Sequence, residues 1–293
     1  MQRLIEPRGP IPVVRGTKVE PTLASGVPAE WVIAPRAQDA HGKRAILYLH
    51  GGAYVFGSPR THRTLVSRIS HATGSPVLAI DYRLPPEHFP PAPTADALAA
   101  YRYLLDSGVP PEGIVIAGDS AGGNLAMELA LHIVEHGLPQ AAAMILLSPW
   151  TDMSLSSESA KTNAKLDAFI PADAFEKVAA FVVGPRDATD WRLSPLFAPA
   201  ELLAQLPPTL VQVGSTEVLL DDGRIMAQRI AEAGVTAEVQ IFDRHPHVIP
   251  VWGITPEAKV SLKEIGEWVA RYEPTGIAPS PPSDADAAVA AEG

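Results

Sequence analysis

Gly118-Asp119-Ser120-Ala121-Gly122 decides how this chain is read. Ahead of it runs Gly113-Ile114-Val115-Ile116-Ala117, a short, apolar, β-branched stretch that reads as a buried strand. Behind it, from Ala121 to His136, the residues Leu125, Leu129 and Ile133 fall on one helical stripe. A serine at this junction sits on a sharp strand-to-helix elbow, its hydroxyl exposed and a helix N-terminus just behind it. The flanking glycines suit a turn that leaves no room for a Cβ on either side.

The bulk properties narrow the class. A chain of 293 residues holds one large α/β domain with room for a small insertion. Apolar residues make up 46% and charged residues 19%, which supports a sizeable core and argues against disorder. The net charge of −10, with no basic cluster, argues against nucleic acid as a partner. With no cysteine there is no disulfide, thiolate metal site or cysteine nucleophile. Met1 through Glu6 lack an apolar leader, and no apolar run reaches the ~18 residues of a membrane span. A soluble, cytoplasmic protein is the expectation.

Along the chain, Gly9-Pro10, Ile11-Pro12 and Val27-Pro28 mark residues 1–29 as an irregular segment. Strands are expected near Trp31-Val32-Ile33, at Ala45–Leu49, Pro76–Ile80, before Ser120 and at Ala142–Leu147, with helices at 61–73, Pro93–Asp106 and after Ser120. Residues 30–149 thus read as the first half of a core. Residues 150–205 carry short polar runs and one helical piece near Pro171–Val183, and read as a cap or lid insertion. Alternation resumes over 206–273 with Thr209–Val213, Leu220–Ala233, Ala237–Phe242 and a helix from Pro256 to about Tyr272. Strands alternating with helices give a mainly parallel sheet covered on both faces. The Pro- and Ala-rich stretch 274–293 reads as a disordered tail.

A serine hydroxyl is a poor nucleophile near neutral pH and needs a base, and an acid to orient that base. In an open α/β sheet such groups gather at the carboxyl ends of strands. His247 follows the strand ending at Phe242, and Glu217 follows the strand ending at Val213. The order serine, acid, histidine is the one this architecture imposes. Asp221 and Asp222 stay open as alternative acids, although both open a helix where a carboxylate also serves the dipole. His245 stays open as the alternative base. His50-Gly51-Gly52-Ala53 follows the Ala45–Leu49 strand and offers backbone N–H groups for an oxyanion, with the Ala121 N–H as a further donor. His50 reads as a structural residue of that loop. Asp119 reads as a brace for the elbow, and Arg83 with Asp81 as a structural ion pair or as partners of loop carbonyls. Tyr54, Phe56, Trp150, Phe169 and Phe181 are candidates for a pocket lining or for core. A His-x-His metal site at His245 and His247 lacks a third ligand nearby, so no metal and no cofactor are expected.

The sequence resembles the hormone-sensitive-lipase-like (family IV bacterial) esterase branch of the α/β-hydrolases. Three separated signatures carry the resemblance: His50-Gly51-Gly52-Ala53, the Gly118–Gly122 elbow, and Asp81-Tyr82-Arg83-Leu84-Pro85-Pro86-Glu87-His88-Phe89-Pro90. Ser148-Pro149-Trp150-Thr151-Asp152 is also similar to the family, and coverage runs from about residue 30 to 272. The resemblance implies an eight-stranded, mainly parallel sheet with a small helical cap. It also implies acyl-serine chemistry on esters, with Ser120, Glu217 and His247 as triad and Gly51, Gly52, Ala53 and Ala121 around the oxyanion. This chain departs from the family pattern at Ala53, which stands for a third glycine, and at Glu217, which stands for an aspartate. Only 49 residues precede His50, so the expected acyl pocket is more open than in relatives with a longer N-terminal lid. Short- to medium-chain esters are the expected substrates. Lactone hydrolysis is the alternative, and a non-catalytic small-molecule receptor on the same fold a more distant one. A homodimer is an expectation from the resemblance only.

Overall fold

The β-branched run before Ser120 forms a strand, and its neighbours on both sides belong to one eight-stranded sheet. The computed structural model describes residues 9–253 and 255–272. Its strands are β1 (Lys18–Ala24), β2 (Val27–Ile33), β3 (Ala45–Leu49), β4 (Val77–Ile80), β5 (Ile114–Asp119), β6 (Ala143–Leu147), β7 (Thr209–Gly214) and β8 (Ala237–Phe242). They stand in the order β1-β2-β4-β3-β5-β6-β7-β8. The sheet is mixed. β3 through β8 run parallel, while β1 and β2 join antiparallel at one edge.

That edge corrects the expectation of an irregular start. Residues 18–24 form β1, and β2 begins at Val27. Pro28 is tolerated because it opens its strand and contributes only its carbonyl, which accepts the Asp81 N–H at 2.8 Å. Arg83 also finds a different partner from the one expected: its guanidinium grips Asp96 at 2.7 Å. The stretch 274–293 lies outside the described residues.

The helices are α1 (Pro59–Thr73), α2 (Ala92–Asp106), α3 (Ala121–Glu135), α4 (Glu158–Thr162), α5 (Ala172–Val183), α6 (Ala200–Leu203), α7 (Leu220–Glu232) and α8 (Pro256–Arg271). Strand alternation assigns them to layers. Leu47, Leu49, Ile116 and Leu146 pack with residues of α2, α3 and α7 on one face. Ile46, Tyr48, Val115 and Ile145 pack with α1 and α8 on the other. With both faces covered, the central strands are fully buried, which is why they read as continuous apolar runs. The stretch 150–205 holds α4, α5 and α6 and no strand among its described residues. Among the described residues, no helix is long and apolar enough to cross a membrane.

Candidate active site

Ser120 sits between β5 and α3 at φ 54 and ψ −121, a conformation that costs a non-glycine residue about 1–3 kcal/mol. Tertiary contacts hold it there. Its N–H donates to the Leu147 carbonyl at 2.9 Å, and its own carbonyl accepts from Gly123 at 3.0 Å and Trp150 at 3.1 Å. The start of α3 presses against the end of β3, so a Cβ at Gly122 would overlap the Leu49 carbonyl, and one at Gly118 the Gly122 carbonyl. Those two glycines are what let the serine ride on the elbow.

Glu217 and His247 meet at the carboxyl end of the sheet. His247 Nδ1 lies 2.8 Å from Glu217 Oε2, both side chains buried. A carboxylate only accepts, so Nδ1 carries the hydrogen and Nε2 is left with its lone pair. Glu217 Oε1 accepts from Ser148 Oγ at 2.8 Å and from the Gly214 N–H at 2.5 Å. Burial disfavours the imidazolium of His247, but the hydrogen bond and charge of Glu217 outweigh it and raise the pKa.

The alternative residues face elsewhere. Asp221 accepts from the Ser159 N–H at 2.9 Å and pairs with Arg224 at 3.0 Å. Asp222 accepts the N–H groups of Thr151 at 2.8 Å and Asp152 at 2.9 Å. His245 turns away, Nδ1 to the Asp243 carbonyl at 2.8 Å and Nε2 to Glu257 at 3.3 Å.

The glycine loop corrects one expectation. The Gly51 N–H donates to Asp119 Oδ1 at 3.0 Å, so it is committed to holding the loop and is not free for an oxyanion. Gly52 and Ala53 follow at φ 120 and φ 53, bending the chain sharply beside Ser120. Gly52 tolerates no side chain there, because a Cβ would overlap the Phe56 carbonyl. Ala121 is the first residue of α3, where an N–H has no partner within the helix.

Ser120, His247, Gly52 and Ala53 all line one cavity of about 400 Å³. Its other walls are chiefly apolar and come from α1 and from the cap, whose Ile170, Phe175 and Val178 contribute. Leu65, Ile170, Phe175 and Val248 are buried and form the floor, whereas Phe56 (40% exposed), Phe169 (55%) and Val251 (44%) stand at the mouth. Of the aromatic candidates, Phe56 and Phe169 therefore belong to the pocket. Tyr54 and Trp150 are core, and Phe181 packs at the surface against Phe89. Phe175 was not among the candidates: its helix was readable, but not which surface that helix would face. The cap also braces the acid: Asn163 Nδ2 donates to the Glu217 carbonyl at 2.8 Å, and Asp167 accepts the Val218 N–H at 2.9 Å.

Residues 46–251 match the family described as alpha/beta hydrolase fold. An acetyl-hydrolase of Streptomyces hygroscopicus is 40% identical over 255 residues, spanning 85% of this chain and 81% of its own. The esterase LipU of Mycobacterium tuberculosis is 40% identical over 231 residues, spanning 78% and 77%. A crystal structure of an esterase from the bacterial hormone-sensitive lipase family superposes with a TM-score of 0.84 at 40% identity, covering 92% of this chain and 94% of that one. The chain belongs to the α/β-hydrolase family, in its hormone-sensitive-lipase-like esterase branch.

Proposed function

We propose that this protein hydrolyses carboxylic esters of short- to medium-chain acids through an acyl-serine at Ser120. The observation that carries the reading is the His247–Glu217 bond of 2.8 Å beside a cavity that Ser120 and His247 share. With Nδ1 tied to Glu217, Nε2 is the basic nitrogen. It takes the Ser120 proton as Oγ attacks the ester carbonyl, and returns it to the leaving alcohol. Glu217 stabilises the imidazolium between those steps. The N–H groups of Gly52, Ala53 and Ala121 receive the oxyanion, and a water deprotonated by His247 then releases the acid. The apolar walls favour an acyl chain and shield the charged intermediate from bulk water.

The test is Ser120→Ala assayed on p-nitrophenyl butyrate, with fluorophosphonate labelling of the unaltered protein. Turnover is expected to vanish while the fold survives, and the label to sit on Ser120. Hydrolysis retained without that hydroxyl would refute the assignment. Chain length is tested at the cap wall: Val178→Trp should cut activity on octanoate at least about tenfold more than on acetate. Equal losses would mean that the acyl group lies elsewhere.

A further inference from the structure

His62 lies in the first turn of α1, and the hydrolytic steps above do not use it. Its ring lines the cavity that holds Ser120. Nε2 stands 3.4 Å from Asp119 Oδ2, while Nδ1 faces Thr61 Oγ1 at 2.8 Å and the Ser58 carbonyl at 3.3 Å. The Thr61 hydroxyl gives its own hydrogen to the Ser58 carbonyl at 2.8 Å and accepts the Ser58 N–H at 3.0 Å. Toward His62 it can only accept. Both ring nitrogens therefore face acceptors, and the imidazolium is the form that satisfies them together.

His50, with its ring centroid 5.5 Å away, is the opposite case. Its Nδ1 donates to the Gly51 carbonyl at 2.8 Å, and its Nε2 has no hydrogen-bond partner among the described residues. Burial, and then the charge of His62, push its pKa down to about 3, so it stays neutral.

Asp119 links His62 to the glycine loop. One carboxylate oxygen accepts from Tyr48 Oη at 2.7 Å and from the Gly51 N–H at 3.0 Å, and the other faces the His62 ring. Gly51 immediately precedes the two loop amides left free for an oxyanion.

We propose that His62 is a positioning residue for ester hydrolysis: by pairing with Asp119 it fixes the Gly51 amide and so aims the Gly52 and Ala53 N–H groups. The proposal rests on Ser120 being the nucleophile. A second consequence follows from charge. His62 is faced by Asp119 of β5, Tyr48 of β3 and His50 of the next loop. Burial opposes its protonation, but Asp119 outweighs that and raises its pKa. His247 feels Glu217, Asp167 and Asp119, each of which favours its protonated form. A cationic His62 offsets the Asp119 part of that field. Without it, His247 holds its proton to higher pH.

The experiment compares His62→Asn and His62→Gln with the unaltered enzyme on p-nitrophenyl butyrate, with pH profiles and with inhibition by a trifluoromethyl ketone. Asparagine can still donate toward Thr61 and spare the start of α1, but it is too short to reach Asp119. Glutamine can extend an amide N–H to Asp119. His62→Asn should lower kcat about 10- to 100-fold with little change in KM, and weaken the ketone by a similar factor. His62→Gln should recover much of kcat, yet keep an acid limb displaced to higher pH, because it restores the hydrogen bond and not the charge. An unchanged kcat in His62→Asn overturns the proposal, as does a loss that leaves ketone affinity intact. If His62→Asn does not fold, the His62→Gln profile decides, and an unmoved acid limb overturns it. Failure of the unaltered enzyme to take a fluorophosphonate at Ser120 would instead refute the hydrolytic reading itself.

Discussion

Ser148 donates its hydroxyl hydrogen to Glu217 Oε1 at 2.8 Å. Ser148 Oγ in turn accepts the Val248 N–H at 3.0 Å, so one side chain after β6 ties the loop of Glu217 to the residue following His247. Ser148 itself is held at φ 48, with its N–H on the Gln212 carbonyl at 2.7 Å. Ser148→Ala would leave Glu217 with its Gly214 bond but orphan the buried Val248 N–H. We expect kcat to fall about tenfold and stability by about 1–3 kcal/mol, the cost of unsatisfied buried groups. Steady-state kinetics and urea unfolding read both. An unchanged kcat would mean that the Val248 bond does not align the base.

The pH profile follows from His247. Glu217 raises its pKa above the ordinary imidazole value of 6.5 in spite of burial. In the proposed mechanism the neutral ring is the base, so kcat/KM should fall as pH drops through a value above 6.5. Glu217→Gln removes the charge that stabilises the imidazolium. The acid limb should then move to lower pH while kcat falls about 10²- to 10⁴-fold. Asp221→Asn should keep kcat near that of the unaltered enzyme, since Asp221 is occupied by Ser159 and Arg224. The reverse ranking of the two variants would move the acid role to Asp221.

What could be read beforehand divides on physical grounds. The turn at Ser120 was legible because an elbow demands small residues at fixed offsets, and the Glu217–His247 contact because strand ends in a parallel sheet share one rim. The commitment of the Gly51 N–H was not legible: it depends on Asp119, 68 residues away, turning one carboxylate oxygen toward the loop. Ser148 is equally opaque, its partner Glu217 lying 69 residues on. β1 was hidden because an antiparallel edge strand tolerates Pro21 and alternates only weakly, with Leu23 facing solvent. The pocket floor was hidden because Leu65, Ile170, Phe175 and Val248 come from separate parts of the chain that only the tertiary fold brings together.

Gly122 gives a test of packing independent of chemistry. A Cβ there would overlap the Leu49 carbonyl and stand 2.5 Å from that of His50, both rigid backbone atoms. Gly122→Ala must therefore push α3 away from β3 and shift Ser120 with it. We expect a loss of about 2–4 kcal/mol, in the range of severe core overpacking, and little soluble, labelled protein. Gly137→Ala is the control: its φ of 61 is strained but a Cβ meets nothing within 4 Å among the described residues. It should cost about 1 kcal/mol, the usual strain of a left-handed non-glycine residue, and leave labelling intact. Gly122 is helical and carries no such strain, so damage there no greater than at Gly137 would mean that α3 moves off β3 at little cost.

Glu128 lies buried in α3, where the Thr94 hydroxyl donates to its carboxyl group. Burial pushes its pKa up to about 8, with Thr94 and Arg186 only partly opposing the shift. The folded protein therefore holds a proton here that the unfolded chain releases near the ordinary glutamate value of 4.5. Between those two values the folded state binds more protons, so this residue makes stability decline as pH rises. Above about 8 the full penalty of a buried carboxylate is in place. Asp222, likewise pushed up to about 8, first by burial, slopes the same way, so the comparison must be between variants and not along one curve. Glu128→Gln mimics the protonated acid in shape and can still accept from Thr94. We expect equal melting temperatures near pH 4.5 and a gap in favour of the variant that widens to several degrees by pH 8.5. Thermal melts of both proteins across that range measure it. Parallel curves would mean that Glu128 is already ionised in the fold, stabilised by Arg186 more than its burial allows.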